Sequence, residues 1–153
     1  MTPTPLSAAF LRLALAAVLG GAIGLEREFH RKPAGLRTNM LISLGSALFA
    51  ILSVELGAGA GSPDRIAAQV VTGIGFLGAG AILRTGENVH GLTTAATIWV
   101  NAAIGMAAGA GHFAIAFAGT ATALIVLTVL KRVELRMDRY RPPDKPIEKP
   151  FDD

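Results

Sequence analysis

The chain has 153 residues, of which 52% are apolar and 16% are charged, and its formal net charge is +3. A typical soluble domain is about 25% charged, and a chain of this size cannot enclose several long uncharged segments in polar surface. Because the chain has no cysteine, disulfides, thiolate metal sites and cysteine nucleophiles are excluded. The composition therefore favours an all-α polytopic membrane protein over a soluble domain.

Five long apolar segments predict five transmembrane helices in one bundle. They cover residues 7–25, 38–55, 66–83, 92–109 and 112–130, and a basic tail, 131–153, follows them. A helix crosses the hydrocarbon layer with about 20 residues, and all eight prolines lie outside these segments. A four-span alternative treats the first segment as a signal peptide, but the start MTPTPLSAAF has no basic residue, which such a peptide needs.

The basic residues predict the orientation of the bundle. Apart from Arg12 and Arg65, every Lys and Arg falls in the loop 26–37, the loop 84–91 or the tail. Five spans place these three regions on one side, and basic loops stay in the cytoplasm. We therefore expect a bacterial inner-membrane protein with its N-terminus outside and its C-terminus in the cytoplasm.

The first and fourth spans each contain a G-x-x-x-G pair, Gly20 with Gly24 and Gly105 with Gly109. Small residues at this spacing let two membrane helices approach closely. The alternative is that these pairs arise by chance, because the chain has 18 glycines.

Polar residues form stripes on the second and fourth spans. The first stripe contains Asn39, Ser43, Ser46, Ala50 and Ser53, and the second contains Thr93, Thr94, Thr97 and Asn101, opposite Trp99. We expect both stripes inside the bundle and Trp99 towards lipid or a partner. The stripes indicate either hydrogen bonds between helices or a polar pathway.

The third span contains TGIGFLGAGAIL, in which Gly73, Gly75 and Gly78 match the dinucleotide-binding pattern G-x-G-x-x-G. That fingerprint needs a preceding strand and an acidic residue about 20 positions later, where the chain has only Ile98, Trp99 and Val100. An open strand is also excluded inside the bilayer, because lipid cannot satisfy its free backbone N–H and C=O groups. We expect a helix in which Gly73, Gly75, Gly78 and Gly80, with Gln69 and Thr72, occupy two faces, as in a central helix. A helix broken at the glycines to line a cavity is the alternative.

Charged and polar residues border the membrane at the cytoplasmic side. They are Glu26, Arg27, Glu28, Arg37, Thr38, Asn39, Arg84, Glu87, Thr93 and Thr94. Two helix N-termini point into this rim, and such ends favour anions. One hypothesis is that Arg27, Arg37 and Arg84 hold a phosphate, a lipid headgroup or a partner's carboxylate. The other is that Glu26 and Glu28 pair with these arginines and tie the helix ends together.

Catalysis has little support in the sequence. There is no H-E-x-x-H motif and no acidic pair within the spans, whereas a magnesium channel is expected to carry carboxylates. We expect no enzymatic activity, no metal site, no cofactor and no nucleic-acid partner. Membrane lipids and a second copy or another membrane protein are the expected partners. The tail is expected to extend the last helix by two turns and to break at the prolines 142 and 143.

Three blocks of the chain resemble the MgtC/SapB family of bacterial membrane proteins. The blocks are GGAIGLERE with KPAGLRTNMLISLGSALF, AAQVVTGIGFLGAGAILR, and GLTTAATIWVNAAIGMAAGAG. The resemblance implies five spans, with the E-R-E and G-L-R-T motifs as functional positions. Relatives are linked to growth at low magnesium and to survival in phagocytes, and some resemble inhibitors of the F-type ATP synthase. Better-studied members carry a soluble domain after the fifth span. Here only the tail, 131–153, follows the fifth predicted span, so we expect the membrane domain alone.

Two functions follow as expectations. The first is a regulatory or interaction role linked to magnesium limitation or stress adaptation, exerted through bundle contacts and the charged rim. It predicts a packed interior and a lipid-exposed glycine face for a partner. The second is a small transporter or channel, which predicts a hydrated cavity lined by the polar stripes of spans two to four.

Overall fold

The computed structural model describes residues 4–57, 65–86 and 88–138, which are mostly helical. The helices are α1 (Leu6–Phe29), α2 (Leu36–Gly57), α3 (Arg65–Gly80), α4 (Leu92–Gly109), α5 (Phe113–Ile125) and α6 (Lys131–Asp138). A short antiparallel hairpin, β1 (Leu83–Thr85) with β2 (Asn88–His90), joins α3 to α4. A π-helical turn, Val126–Leu130, joins α5 to α6. The prolines 142 and 143 lie outside the described residues.

The chain has the surface of a membrane protein. Within the described part of the chain, four helical segments are long and apolar enough to cross a bilayer, namely Leu6–Phe29, Leu36–Gly57, Leu92–Gly109 and Phe113–Val133. The outer surface carries large apolar side chains such as Phe10, Phe76 and Trp99, which a soluble surface rarely gathers in this number. The third predicted span is shorter than expected, because α3 ends at Gly80 after 16 residues and Leu83 already belongs to β1.

The first helices run between two opposite ends of the bundle. The backbone N–H of Thr4 donates a hydrogen bond to Oε1 of Glu55 at 3.2 Å, which places the start of α1 beside the end of α2. At the other end, the backbone N–H of Leu36 donates to Oε2 of Glu28 at 3.0 Å. This second end, formed by the end of α1, the loop 30–35, β2, the start of α4 and Lys131, is called the charged end below.

The backbones of α1 and α2 approach each other at two glycines. A Cβ atom at Gly20 would lie 2.5 Å from Cβ of Ser43, and one at Gly24 would lie 2.8 Å from Cα of Leu36. Both distances are shorter than any ordinary carbon contact, so no larger residue fits without moving a helix.

α4 approaches the same face of α2 just as closely. A Cβ atom at Gly105 would collide with the backbone carbonyl of Ser43, and one at Gly109 would collide with that of Ala47. Both G-x-x-x-G pairs therefore pack against α2, and Gly20 and Gly105 both lie against Ser43.

α4 is the central helix of the bundle. One apolar cluster joins α1, α2, α4 and α5 and includes Leu19, Ile23 and Ile104. A second cluster joins α2, α3 and α4 and includes Ile42, Ile74 and Ile98. Since α4 contributes to both clusters, its packing determines where the other helices lie.

The expectation that the third span is central is wrong for this chain. A Cβ atom at Gly73, Gly75 or Gly80 would have no atom within 4 Å, and only Gly78 approaches α4, at 3.7 Å from the carbonyl oxygen of Ala95. Ile74 and Gly78 are the buried residues of α3, so α3 packs through one narrow face. The helix is also continuous from Arg65 to Gly80, which contradicts the broken-helix alternative.

The contrast between these glycines gives a stability prediction. Gly105→Ala should destabilise the fold by about 1–3 kcal/mol, because the new methyl group overlaps the backbone of α2. Gly73→Ala is the matched control and should be neutral or stabilising by up to about 1 kcal/mol, since alanine favours helix and the site is open. Thermal unfolding in detergent, followed by circular dichroism, measures both. Equal losses would contradict the close packing of α4 on α2.

Candidate functional site

The charged end is organised around Arg27. α1 continues as a helix to Phe29, past the predicted end at residue 25, so Arg27 lies on a helical turn beside the start of α4. Arg27 is only 4% exposed, and its Nη2 donates a hydrogen bond to Oγ1 of Thr94 at 2.9 Å. Its Nε has no hydrogen-bond partner within the described residues. A buried guanidinium with an unused donor is costly, which indicates a place for an acceptor.

The glutamates beside Arg27 do not pair with arginines. Oε1 of Glu26 lies 2.9 Å from Nδ1 of His30, the one ion pair found in the described part of the chain. Glu28 accepts a hydrogen bond from the backbone of Leu36 instead, which satisfies a free N–H at the start of α2. No ion pair of Glu26 or Glu28 with an arginine is found among the described residues. Glu26 still attracts the neighbouring Arg27 electrostatically, and Glu28 ties two helix ends together.

A cavity of about 780 Å³ opens beside Arg27. Its ionisable lining residues are Glu26, Arg27, His30, Lys32, His90 and Lys131. Arg27, Lys32 and Lys131 carry permanent positive charges against the single carboxylate, so the cavity favours anions. Thr93 and Thr94 also line it, and they bring the positive end of the α4 dipole to the same wall.

The hairpin before α4 brings His90 to this cavity. Gly91 has a left-handed φ of 89°, and a Cβ atom there would collide with the carbonyl of Ala81. Only glycine tolerates both the left-handed φ and the close approach of the Ala81 carbonyl. The chain therefore folds tightly back over the end of α3, and β2 closes one side of the cavity.

A buried amide pair joins the first turn of α2 to the middle of α4. Nδ2 of Asn101 donates hydrogen bonds to the backbone oxygen of Asn39 at 2.7 Å and to its Oδ1 at 3.0 Å. Nδ2 of Asn39 in turn donates to the carbonyls of Ala34 and Gly35. Both asparagines are fully buried. The pair links the loop before α2 to the centre of α4, and Oδ1 of Asn101 and Oγ of Ser43 are left without partners in the described chain.

The structure brings together only some of the predicted rim residues. Glu26, Arg27, Thr93 and Thr94 line the cavity, whereas Arg37 and Thr38 are exposed and Arg84 lies on the hairpin, bonded through Nε to the carbonyl of Gly86 at 3.1 Å. A site held jointly by three arginines is therefore wrong. Glu87 lies outside the described residues.

The polar stripe of α2 is buried, and that of α4 is buried except for Thr93, whereas the polar residues of α3 are exposed. The buried members are Asn39, Ser43, Ser46, Ala50, Ser53, Thr94, Thr97 and Asn101, while Thr93 is exposed and Trp99 lies on the outer surface. Gln69 and Thr72 lie on the exposed face of α3, so they contribute nothing to the interior. The reason is that α3 buries only its Ile74 side.

Sequence reasoning missed His30, Lys32, His90 and Lys131 as members of one cavity. Lys131 was assigned to a topology-setting tail, and nothing in the sequence shows that α5 returns beside α1. The π-helical turn also has no Pro or Gly signal. Among the described residues, no group of three His, Asp or Glu side chains could hold a metal ion.

Comparison with known proteins gives a consistent set of relatives. A family model described as the MgtC family matches residues 13–136. The "Putative magnesium transporter YhiD" of Escherichia coli strain K12 is 50% identical over 134 residues, which cover 83% of this chain and 62% of that protein. Protein MgtC of Brucella abortus strain 2308 is 52% identical over 122 residues, covering 80% and 50% of the two chains.

A further relative is Protein MgtC of Salmonella typhimurium strain LT2, which is 46% identical over 129 residues, covering 84% of this chain and 55% of that protein. The chain thus spans between half and two thirds of the length of these relatives. No solved structure gives a significant match.

The buried amide pair gives a second stability prediction. Asn101→Leu should lower the free energy of unfolding by about 1–2 kcal/mol, because both oxygens of Asn39 lose their donor in a dry environment. Gln69→Leu is the matched control on the exposed face of α3 and should change stability little. Chemical or thermal unfolding in the same detergent compares them. An unchanged Asn101→Leu variant would contradict the structural role of the pair.

Proposed function

Because the chain belongs to the MgtC family, we propose that it is a magnesium-related inner-membrane protein with a regulatory role, not a route for magnesium ions. It has no catalytic role in this proposal. Its charged end binds an anionic group, and its exposed glycine face on α3 receives a helix of a partner membrane protein. The buried, cation-lined cavity around Arg27 is the observation that carries the proposal.

The proposed topology has five spans, with the N-terminus outside and the C-terminus in the cytoplasm. The supporting observation is that Thr4 and Lys131 lie at opposite ends of the bundle. α3 would cross the bilayer as the third span in chain order and bring the total to five. Local thinning of the bilayer accommodates a helix that is short at about 1.5 Å per residue. The charged end then faces the cytoplasm, where basic residues concentrate.

The interior argues against a magnesium pathway. Mg²⁺ gives up water reluctantly and prefers carboxylate ligands. The described carboxylates whose side chains are placed are Glu26, Glu28 and Glu55, and all three lie towards helix ends. Inside the bundle, the neutral Asn101 at the middle of α4 donates to the neutral Asn39 in the first turn of α2. The close glycine contacts of α1 and α4 with α2 argue against a wide path for a hydrated ion.

The electrostatics of the charged end point the same way. A dication in the cavity would face Arg27, Lys32 and Lys131 against the single carboxylate of Glu26. Like charges in a partly enclosed site repel strongly, because the surrounding medium screens them less than bulk water does. An anion is attracted by the same arrangement, and the unused Nε of Arg27 offers it a donor.

Transport remains the second candidate, on one specific observation. Oδ1 of Asn101 and Oγ of Ser43 are buried without partners within the described residues, and a water or solute passing through the bundle would satisfy them. The transporter role in the name of the E. coli relative gives this candidate a further reason to be tested.

The regulatory proposal predicts no conduction. Purified protein in liposomes that contain a magnesium-sensitive dye should pass no more Mg²⁺ down an imposed gradient than protein-free liposomes do, because no described carboxylate lies at the middle of the spans to replace the water ligands of the ion. Asn101→Leu is measured alongside. Fast flux in the parent that Asn101→Leu abolishes would establish the transport candidate instead.

A growth test examines the regulatory role directly. In a bacterium lacking its own MgtC-family gene, the chain should alter growth at low magnesium, and Lys131→Glu should remove that effect, because it reverses a cavity charge. Arg84→Glu makes the same change outside the cavity and should behave as the parent. Immunoblotting of membranes controls for protein level. Equal behaviour of the two variants at equal levels would contradict an anion-dependent function of the cavity.

A further inference from the structure

An apolar groove of about 570 Å³ runs between α1, α4 and α5. Its walls include Ala96 and Val100 of α4 and Ile115, Ala118 and Gly119 of α5. Small side chains at Ala96, Ala118 and Gly119 keep the groove deep. Ile115 is 63% exposed, so the groove opens on the outer, lipid-facing side of the bundle.

The groove and the cationic cavity adjoin. Thr93, Val126 and Leu127 line both spaces. Two of these residues belong to the π-helical turn, where the hydroxyl of Thr128 donates to the carbonyl of Leu124 at 2.7 Å. π-helical turns are rare and are frequently found at functional sites. Here the turn lies where a polar space meets an apolar one.

We propose that the cavity and the groove form one binding site for a single anionic phospholipid. This inference rests on the proposed function, because it identifies the anion that the charged end binds. The phosphate group contacts Arg27, Lys32 and Lys131, and one acyl chain lies along the groove between α4 and α5. The lipid enters sideways from the bilayer.

The depth of the site in the membrane supports a lipid. The candidate span of α1 ends at Phe29 and that of α4 begins at Leu92, so Arg27 and Thr93 lie at the level where the hydrocarbon core meets the headgroups. A phospholipid phosphate lies at this same level. A free anion would use only the cavity and would leave the apolar groove unexplained.

The charges of the site specify an anionic headgroup over a zwitterionic one. Arg27, Lys32 and Lys131 exceed Glu26 in number, and the quaternary amine of phosphatidylcholine would meet this positive wall. The buried Nε of Arg27, which has no partner among the described residues, gains an acceptor when a phosphate oxygen binds.

The preference for an anionic headgroup is tested in nanodiscs of phosphatidylcholine that also contain phosphatidylglycerol. The protein is purified from these nanodiscs, and native mass spectrometry counts the lipid molecules that it retains. The parent should retain one phosphatidylglycerol. The double variant Lys32→Gln, Lys131→Gln should bind it about fivefold more weakly for each lysine lost. The double variant Arg37→Gln, Arg84→Gln loses the same charge outside the cavity and should behave as the parent.

The acyl chain is tested by filling the groove. Ala96→Phe should displace phosphatidylglycerol, whereas Ala103→Phe, on an exposed part of α4 outside the groove, should not. Inorganic phosphate, titrated calorimetrically into delipidated protein, should bind weakly and be indifferent to Ala96→Phe. Glu26→Gln should strengthen phosphatidylglycerol binding, because it removes the one negative charge of the cavity.

The outcomes separate this inference from the function on which it rests. Inorganic phosphate that binds as tightly as phosphatidylglycerol, with no effect of Ala96→Phe, would overturn the lipid inference and leave an anion-binding regulator. Equal retention of phosphatidylcholine and phosphatidylglycerol would overturn it as well. Failure to bind either phosphate or phosphatidylglycerol would overturn both the lipid site and the anion-binding function.

Discussion

The structure depends on the close approach of α1 and α4 to one face of α2, the face that carries Asn39 and Ser43. In a bilayer the hydrophobic effect gives little drive for helices to associate, so tight packing and interhelical hydrogen bonds stabilise the bundle. Glycines at 20, 24, 105 and 109 allow this approach. It brings Asn101 within hydrogen-bond distance of Asn39 and fixes α1 against the start of α4, where Arg27 reaches Thr94.

A closed interior and an open charged end follow from that packing. Glycine contacts from α1 and α4 pack the interior tightly around Ser43. Asn101 donates to Asn39, while its own Oδ1 has no partner among the described residues. At the charged end no glycine pair draws α1 towards α5, so the helices separate around a cavity. Burying Arg27 would be prohibitive at mid-membrane, but interfacial charges cost far less. The same position suits a group that binds phosphate from the headgroup layer.

Sequence patterns predicted the interior better than the rim. The two G-x-x-x-G pairs and the stripes of α2 and α4 are periodic, and a helix converts such periodicity directly into one face. α3 shows the limit of this reasoning, because its glycines satisfy the same pattern and yet face outwards. A pattern shows that a face can be approached closely but does not show which helix occupies it.

The rim was harder because its members come from separate elements. His30, Lys32, His90 and Lys131 converge only through a six-residue loop, a hairpin, and an α5 that returns beside α1. Arg37 and Arg84 resemble Arg27 in sequence context, but α1 continues one turn beyond its apolar segment and buries Arg27 alone. Where a helix stops is set by packing as much as by composition, so that difference could not be seen in the sequence.

The accessibility of Ser43 to water tests the closed interior most directly. The chain has no native cysteine, and Ser43→Cys is a nearly isosteric change at a fully buried position between the two glycine contacts. In membranes treated with a small hydrophilic thiol reagent, Ser43→Cys should stay unmodified while Thr38→Cys, at the exposed start of α2, reacts. Modification of Ser43→Cys at a rate close to that of Thr38→Cys would contradict the account, because it would show water in the middle of the bundle.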